Sequence, residues 1–133
     1  MVDTISGHFL SLLAHIVLVS TLFFNQEPFL LASSPLCVTA VQEDSRAEFI
    51  VLLSLTLLFD VGELLALLIR IPSVSLSLLS SFIHAVSCLF LVKFIIDEHP
   101  VSNFWVLLAL TSFPVLVLNL IGISTYPCRN KSS

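Results

Sequence analysis

Four long apolar stretches dominate this chain and constrain its fold more than any other feature. Each is about 20 residues long, which at a rise of ~1.5 Å per residue matches a hydrocarbon core of ~30 Å. The chain is 57% hydrophobic and 11% charged, too apolar for a soluble domain of 133 residues. Helices satisfy their own backbone hydrogen bonds in lipid, whereas the alternating segments of a β-barrel are absent from the sequence.

We therefore predict an all-α fold, a four-span transmembrane helical bundle. The whole chain, 1–133, is expected to form a single membrane domain, with helices at about 5–24, 49–69, 74–96 and 104–123 and a loop at 25–48. The first stretch has Asp3 and no basic residue before it, which favours a span over a cleaved signal peptide.

The distribution of basic residues predicts the orientation. With an even number of spans, both termini lie on the side of the turn that joins the second and third stretches. That side carries three basic residues and the other side two: Arg70, Arg129 and Lys131 against Arg46 and Lys93. By the positive-inside rule, we expect both termini to be cytoplasmic.

Ionisable residues inside the spans are the candidate functional residues. A charge at a helix centre costs on the order of 2.5–3.5 kcal/mol, so each one needs a reason. The centres of the four stretches fall near residues 14, 59, 85 and 113, which places His15, Asp60 and His84 at one depth. Glu63 lies one turn from Asp60 on the same helix face.

The polar residues of neighbouring spans form matching stripes. When residues are counted outward from the turn between the second and third spans, Asp60 is level with His84, and Glu63 is level with Ser80 and Ser81. The first span adds His8, Ser11 and His15, and the fourth adds Ser112, Asn119 and Gly122. The intramembrane polar network that we predict consists of His15, Asp60, Glu63, His84 and Asn119.

Two interpretations of this polar layer stay open. In one, it is a buried network that holds the bundle together, with Asp60 paired to His84 or His15 and Glu63 either bound to serines or held protonated by desolvation. In the other, Asp60 or Glu63 is the coupling acid of a small proton-coupled transporter or channel subunit. The absence of internal repeats and the single mid-span proline, Pro114, favour the first.

Other chemistry finds little support in the sequence. There is no phosphate-binding glycine loop, paired-histidine zinc motif or nucleophilic-serine elbow, so we expect no enzyme activity, cofactor, metal or small-molecule substrate. The sequence contains no basic patch that would indicate nucleic-acid binding.

The three cysteines are expected to lie in three different compartments, which argues against a disulfide: Cys37, Cys88 and Cys128. Cys128, beside Arg129 and Lys131, is a possible palmitoylation site, with an unmodified tail cysteine as the alternative.

The residues of the first span resemble those of a known family. Residues 9–23 read FLSLLAHIVLVSTLF, which is similar to the F-L-x-L-L-A-H…T-L-F pattern of the transmembrane protein 107 family. The likeness extends over about 8–123 and continues with SLTL at 54–57, Glu63-Leu64, His84, Asp97-Glu98, Phe104-Trp105 and Pro114. Asp60, Lys93 and Asn119 depart from the pattern that we expect of that family.

This resemblance implies a role at the cilium. Members of the family are four-span proteins with cytoplasmic termini that lie in the ciliary transition zone, at the base of the cilium. They act there with the Meckel-syndrome module, including tectonic proteins, in cilium assembly and in gating which membrane proteins enter the cilium. The resemblance implies no catalysis. The partners that we expect are therefore the lipid bilayer and other transition-zone membrane proteins.

Overall fold

The computed structural model of the chain describes residues 2–33, 39–70 and 72–125. Within these residues the regular structure is entirely helical. The elements are α1 (Val2–Phe24), α2 (Glu27–Ser33), α3 (Thr39–Ile69), α4 (Val74–Ile96), a 3₁₀ turn (Val101–Asn103) and α5 (Phe104–Thr125).

Four of the helices in the described part of the chain are long and apolar enough to cross a membrane. Their candidate spans are Asp3–Phe24, Glu43–Ile69, Val74–Ile96 and Val101–Gly122. The prediction of an all-α fold with four membrane-spanning helices is therefore confirmed. The cytoplasmic orientation of the termini and the assignment of 1–133 to one domain stay predictions.

The prediction of a loop over 25–48 is wrong for most of that segment. Helix α2 occupies Glu27–Ser33, and α3 begins at Thr39 rather than at residue 49. Residues 39–48 are rich in Ala, Gln, Glu and Arg, which favour helix but are too polar to extend an apolar stretch. In α2, Pro28 lies in the first turn, where a missing N–H is tolerated, and Glu27 is favourable near the helix N-terminus.

Aromatic packing holds α2 against the bundle. The ring of Phe29 stacks on Phe94 with centroids 5.2 Å apart and lies 5.9 Å from Phe49. Phe104 meets the rings of Phe49 and Phe94 edge to face, at 5.6 and 5.7 Å. These buried rings join α2, α3, α4 and α5 into the apolar core at one end of the bundle.

The surface of the bundle is apolar where that of a soluble protein would be polar. Large side chains such as Leu58, Phe82, Leu89 and Phe113 are each at least 66% exposed. The interior, in contrast, buries several polar and ionisable side chains. This distribution suits a bundle whose outer faces contact lipid, since lipid tails are as apolar as the exposed leucines.

Candidate functional site

Five ionisable side chains from three helices meet inside the bundle and form what we call the His–carboxylate layer. They are His8 and His15 of α1, Asp60 and Glu63 of α3, and His84 of α4, and each is at most 4% exposed. Helix α1 packs against both α3 and α4, which brings the three helices close enough for these side chains to touch.

Glu63 is the hub of the layer. One carboxylate oxygen, Oε1, lies 2.9 Å from His8 Nε2 and accepts a 2.5 Å hydrogen bond from the Ser80 hydroxyl. The other oxygen, Oε2, lies 2.9 Å from His84 Nε2. The carboxylate of Glu63 therefore links α1, α3 and α4 through three side-chain hydrogen bonds.

Asp60 forms the second centre of the layer. Its Oδ2 atom lies 2.9 Å from His15 Nδ1. The ring of His15 contacts that of His84 with centroids 5.2 Å apart, which joins the two centres. Of the two partners that the sequence leaves open for Asp60, the structure pairs it with His15, while His84 binds Glu63.

The direction of helical side chains explains this pairing. Each Cα–Cβ bond tilts toward the N-terminus of its own helix, and α3 and α4 run antiparallel. The side chain of His84 therefore leans toward the α3–α4 turn, and that of Glu63 leans away from it. The two side chains therefore lean toward each other, although Glu63 and His84 are about one turn out of level when residues are counted from the turn.

His8 is the member of the layer that sequence reasoning underrated. It follows the same helix face as His15 because the two are seven residues apart, or about two turns. This spacing indicates that His8 shares the polar face of α1. His8 lies near the end of its apolar stretch, however, where a polar residue costs little free energy. Its second ring nitrogen, Nδ1, lies 3.2 Å from the hydroxyl of Ser77, which is also buried.

Asn119, the remaining predicted site residue, lies beside the layer rather than in it. Within the described residues it makes no hydrogen bond to the five members. It lines a cavity of about 80 Å³ together with His8, Glu63 and Ser80. The same cavity is lined by Arg70, Pro72 and Ser73 of the α3–α4 turn. Glu63 is therefore the acid of the layer that lines this cavity.

One cysteine lies on α4 among the described residues, and the other two lie outside them. Cys88 is half-buried on α4, with its thiol 3.9 Å from the Ser11 carbonyl. Cys37 and Cys128 lie outside the described residues, and so does the predicted palmitoylation site.

The layer contains two sets of potential metal ligands that no spacing along the chain reveals. One set is His8, Glu63 and His84, and the other is His15, Asp60 and His84. Within each set, one ligand atom from each residue lies within 4.8 Å of the other two. All members are buried, so the layer provides nitrogen and oxygen donors in a water-poor environment.

Comparison with known proteins gives the family of the chain. The family model with the description "TMEM107: Transmembrane protein" matches residues 4–123 of this chain. The chain is 31% identical over 119 residues to transmembrane protein 107 of Danio rerio, covering 85% of this chain and 87% of that protein. It is 30% identical over 131 residues to the Xenopus laevis protein of the same name, covering 96% and 94%. No solved structure matches the chain significantly. The chain therefore belongs to the transmembrane protein 107 family.

Proposed function

We propose that this chain is a non-enzymatic transmembrane component of the ciliary transition zone. In this role it takes part in cilium assembly and in gating which membrane proteins enter the cilium. Its expected partners are other transition-zone membrane proteins, those of the Meckel-syndrome module and the tectonic proteins. The observation that carries the proposal is the family match over 4–123, which includes all four candidate spans except the first residue of α1's span.

The burial of the His–carboxylate layer supports a scaffolding role for these residues. A side chain at most 4% exposed within one chain is not available to a partner helix. Asp60 and Glu63 therefore hold this chain's own helices in register. Contacts to partners then fall on the apolar outer faces or on the segments outside the membrane.

Localisation in a ciliated cell tests this proposal. The tagged chain is expressed from its own promoter in cells whose endogenous copy has been deleted, and it is imaged against markers of the ciliary base. We expect a signal concentrated between the basal body and the ciliary shaft, and restoration of cilium number. A signal spread over the plasma membrane or vesicles, with none at the ciliary base, would contradict the proposal.

A second candidate function is a small proton-coupled transporter or channel subunit. The observation that favours it is the cavity that joins Glu63 to residues of the α3–α4 turn. Reconstitution in liposomes with a pH-sensitive dye distinguishes the two functions. Proton flux that disappears in Glu63→Gln and Asp60→Asn, while ciliary localisation is retained, would favour transport. Loss of localisation in the same variants without any wild-type flux would favour the scaffold.

A further inference from the structure

The buried histidines and acids of this bundle carry an inference that does not depend on the ciliary role. We propose that His8, Glu63 and His84 bind one divalent transition-metal ion of the zinc class, which ties α1, α3 and α4 together. The three residues come from three different helices, and each brings a donor atom within 4.8 Å of the other two.

The donor set is one that zinc uses. Two imidazole nitrogens and one carboxylate oxygen form a His₂Glu set, which leaves a fourth position for water or another ligand. Imidazole with carboxylate suits first-row transition metals, whereas calcium and magnesium prefer sites made entirely of oxygen. The set therefore selects the class of metal.

The distances are close to those of a bound site. With Zn–N of ~2.0–2.1 Å and Zn–O of ~2.0–2.2 Å, neighbouring ligand atoms of a tetrahedral site lie about 3.3–3.5 Å apart. His8 Nε2 and His84 Nε2 each lie 2.9 Å from an oxygen of Glu63. An ion would need these two separations to grow by about half an ångström, while the donor atoms of His8 and His84, which lie no more than 4.8 Å apart, would settle at the same spacing through side-chain torsions.

The surroundings of the ligands have the form of a second coordination shell. A histidine that binds metal through one nitrogen commonly uses the other in a hydrogen bond, which fixes its ring. His8 Nδ1 lies 3.2 Å from the hydroxyl of Ser77. His84 Nδ1 is buried and has no hydrogen-bond partner among the described residues.

Asp60 is placed to complete this second shell. A ligand atom of Asp60 and one of His84 lie within 4.8 Å of each other, and His15 already orients the Asp60 carboxylate. With His84 Nε2 on the ion, we expect its Nδ1–H to donate a hydrogen bond to Asp60. The unpartnered nitrogen, which costs free energy while it stays buried and unbonded, would then be satisfied.

Charge and access both favour the ion. One divalent cation balances the two carboxylates of Asp60 and Glu63, whose burial as bare charges in a membrane is expensive. The cavity lined by His8 and Glu63 is also lined by Arg70 and Ser73, which are exposed at the α3–α4 turn. This space offers an entry path and room for the fourth ligand.

Metal analysis of the intact chain in detergent tests the proposal. The chain is purified without a histidine tag, stripped with a chelator, titrated with ZnCl₂ and desalted, and bound zinc is measured by mass spectrometry. We expect about one zinc ion per chain. Zinc should raise the melting temperature by roughly 5 °C or more at saturating concentration. Absence of bound zinc in the wild-type chain would overturn the proposal.

Variants locate the ion. Glu63→Gln and His84→Gln are each expected to weaken zinc binding by more than about 100-fold, since loss of a second-shell partner already costs ~10–100-fold. Asp60→Asn, which changes a second-shell partner, should weaken zinc binding by only ~10–100-fold. His99→Gln removes a half-exposed histidine outside the layer and is the matched control, with unchanged binding. Equal affinity in the wild-type chain and both ligand variants would overturn the proposal.

Spectroscopy of the wild-type chain keeps the test independent of variant folding. X-ray absorption of the zinc-bound chain should show a first shell of nitrogen and oxygen only, with outer-shell scattering from two imidazoles. A variant that lacks all three cysteines should bind zinc like the wild type. Sulfur in the first shell, or loss of binding in the cysteine-free variant, would contradict the assignment.

Discussion

Replacing Glu63 with alanine should be the most destabilising single change in the His–carboxylate layer. Its carboxylate takes part in three side-chain hydrogen bonds, to His8, Ser80 and His84, whereas the carboxylate of Asp60 takes part in one, to His15. Glu63→Ala therefore leaves three buried groups without a partner, and Asp60→Ala leaves one.

The expected size follows from hydrogen bonds measured in membrane proteins. Side-chain hydrogen bonds between membrane helices are worth ~0.6 kcal/mol on average and ~1.7 kcal/mol at most. Three such bonds give a loss of ~2 kcal/mol, with an upper value of ~5 kcal/mol, for Glu63→Ala. One bond gives a loss of ~0.6–1.7 kcal/mol for Asp60→Ala.

Reversible unfolding in mixed micelles, followed by circular dichroism with chelator present, measures these differences. The chelator removes any contribution of bound metal, so that hydrogen bonding alone is compared. Ser112→Ala is the matched control because the hydroxyl of Ser112 is buried without a partner among the described residues, and its loss should cost little. If Glu63→Ala destabilises the chain no more than Asp60→Ala does, Glu63 is not the hub of the layer.

Two further predictions concern the surface of the bundle. Gly62→Ala should raise the free energy of unfolding by ~0.5–1 kcal/mol in the same assay, because alanine favours helix more than glycine does. An added Cβ at this position meets no described atom within 4 Å. A loss of stability would show that this face of the helix is covered. Trp105, the chain's one tryptophan, is half-exposed at the start of α5 and donates a hydrogen bond to Glu48. The fluorescence of Trp105 should be quenched more by lipids brominated near the headgroup than by lipids brominated near the end of the acyl chain, as expected for an interfacial ring. The opposite order would place this end of α5 deep in the bilayer.

Much of the secondary structure could be read from hydropathy because crossing a membrane is a local demand. Each stretch must be long enough and apolar enough whatever its neighbours do. The predicted bounds of the third stretch, 74–96, agree with α4. Hydropathy does not detect polar helices outside the membrane, and the sequence therefore predicts a loop where the structure has α2 and the first ten residues of α3.

The candidate site was only partly predictable, for a related reason. His15, Asp60, Glu63 and His84 stand out because an ionisable group deep in a span is costly. His8 completes the site but lies near the end of its stretch, where that cost is small. Asn119 is predicted from its place in the polar stripe of the fourth span, and among the described residues it lines the cavity without a hydrogen bond to the layer.

The amino-acid sequence alone establishes the spans and the depth of their polar residues, since helix rise, lipid thickness and the cost of a buried charge are properties of each segment. It leaves Asp60 with two possible histidines. Only the packing of α1 against α3 and α4 assigns His15 to Asp60 and places Glu63 between His8 and His84. The physical reason is that helix rotation and the tilt of each Cα–Cβ bond decide which side chains converge, and both depend on neighbouring helices.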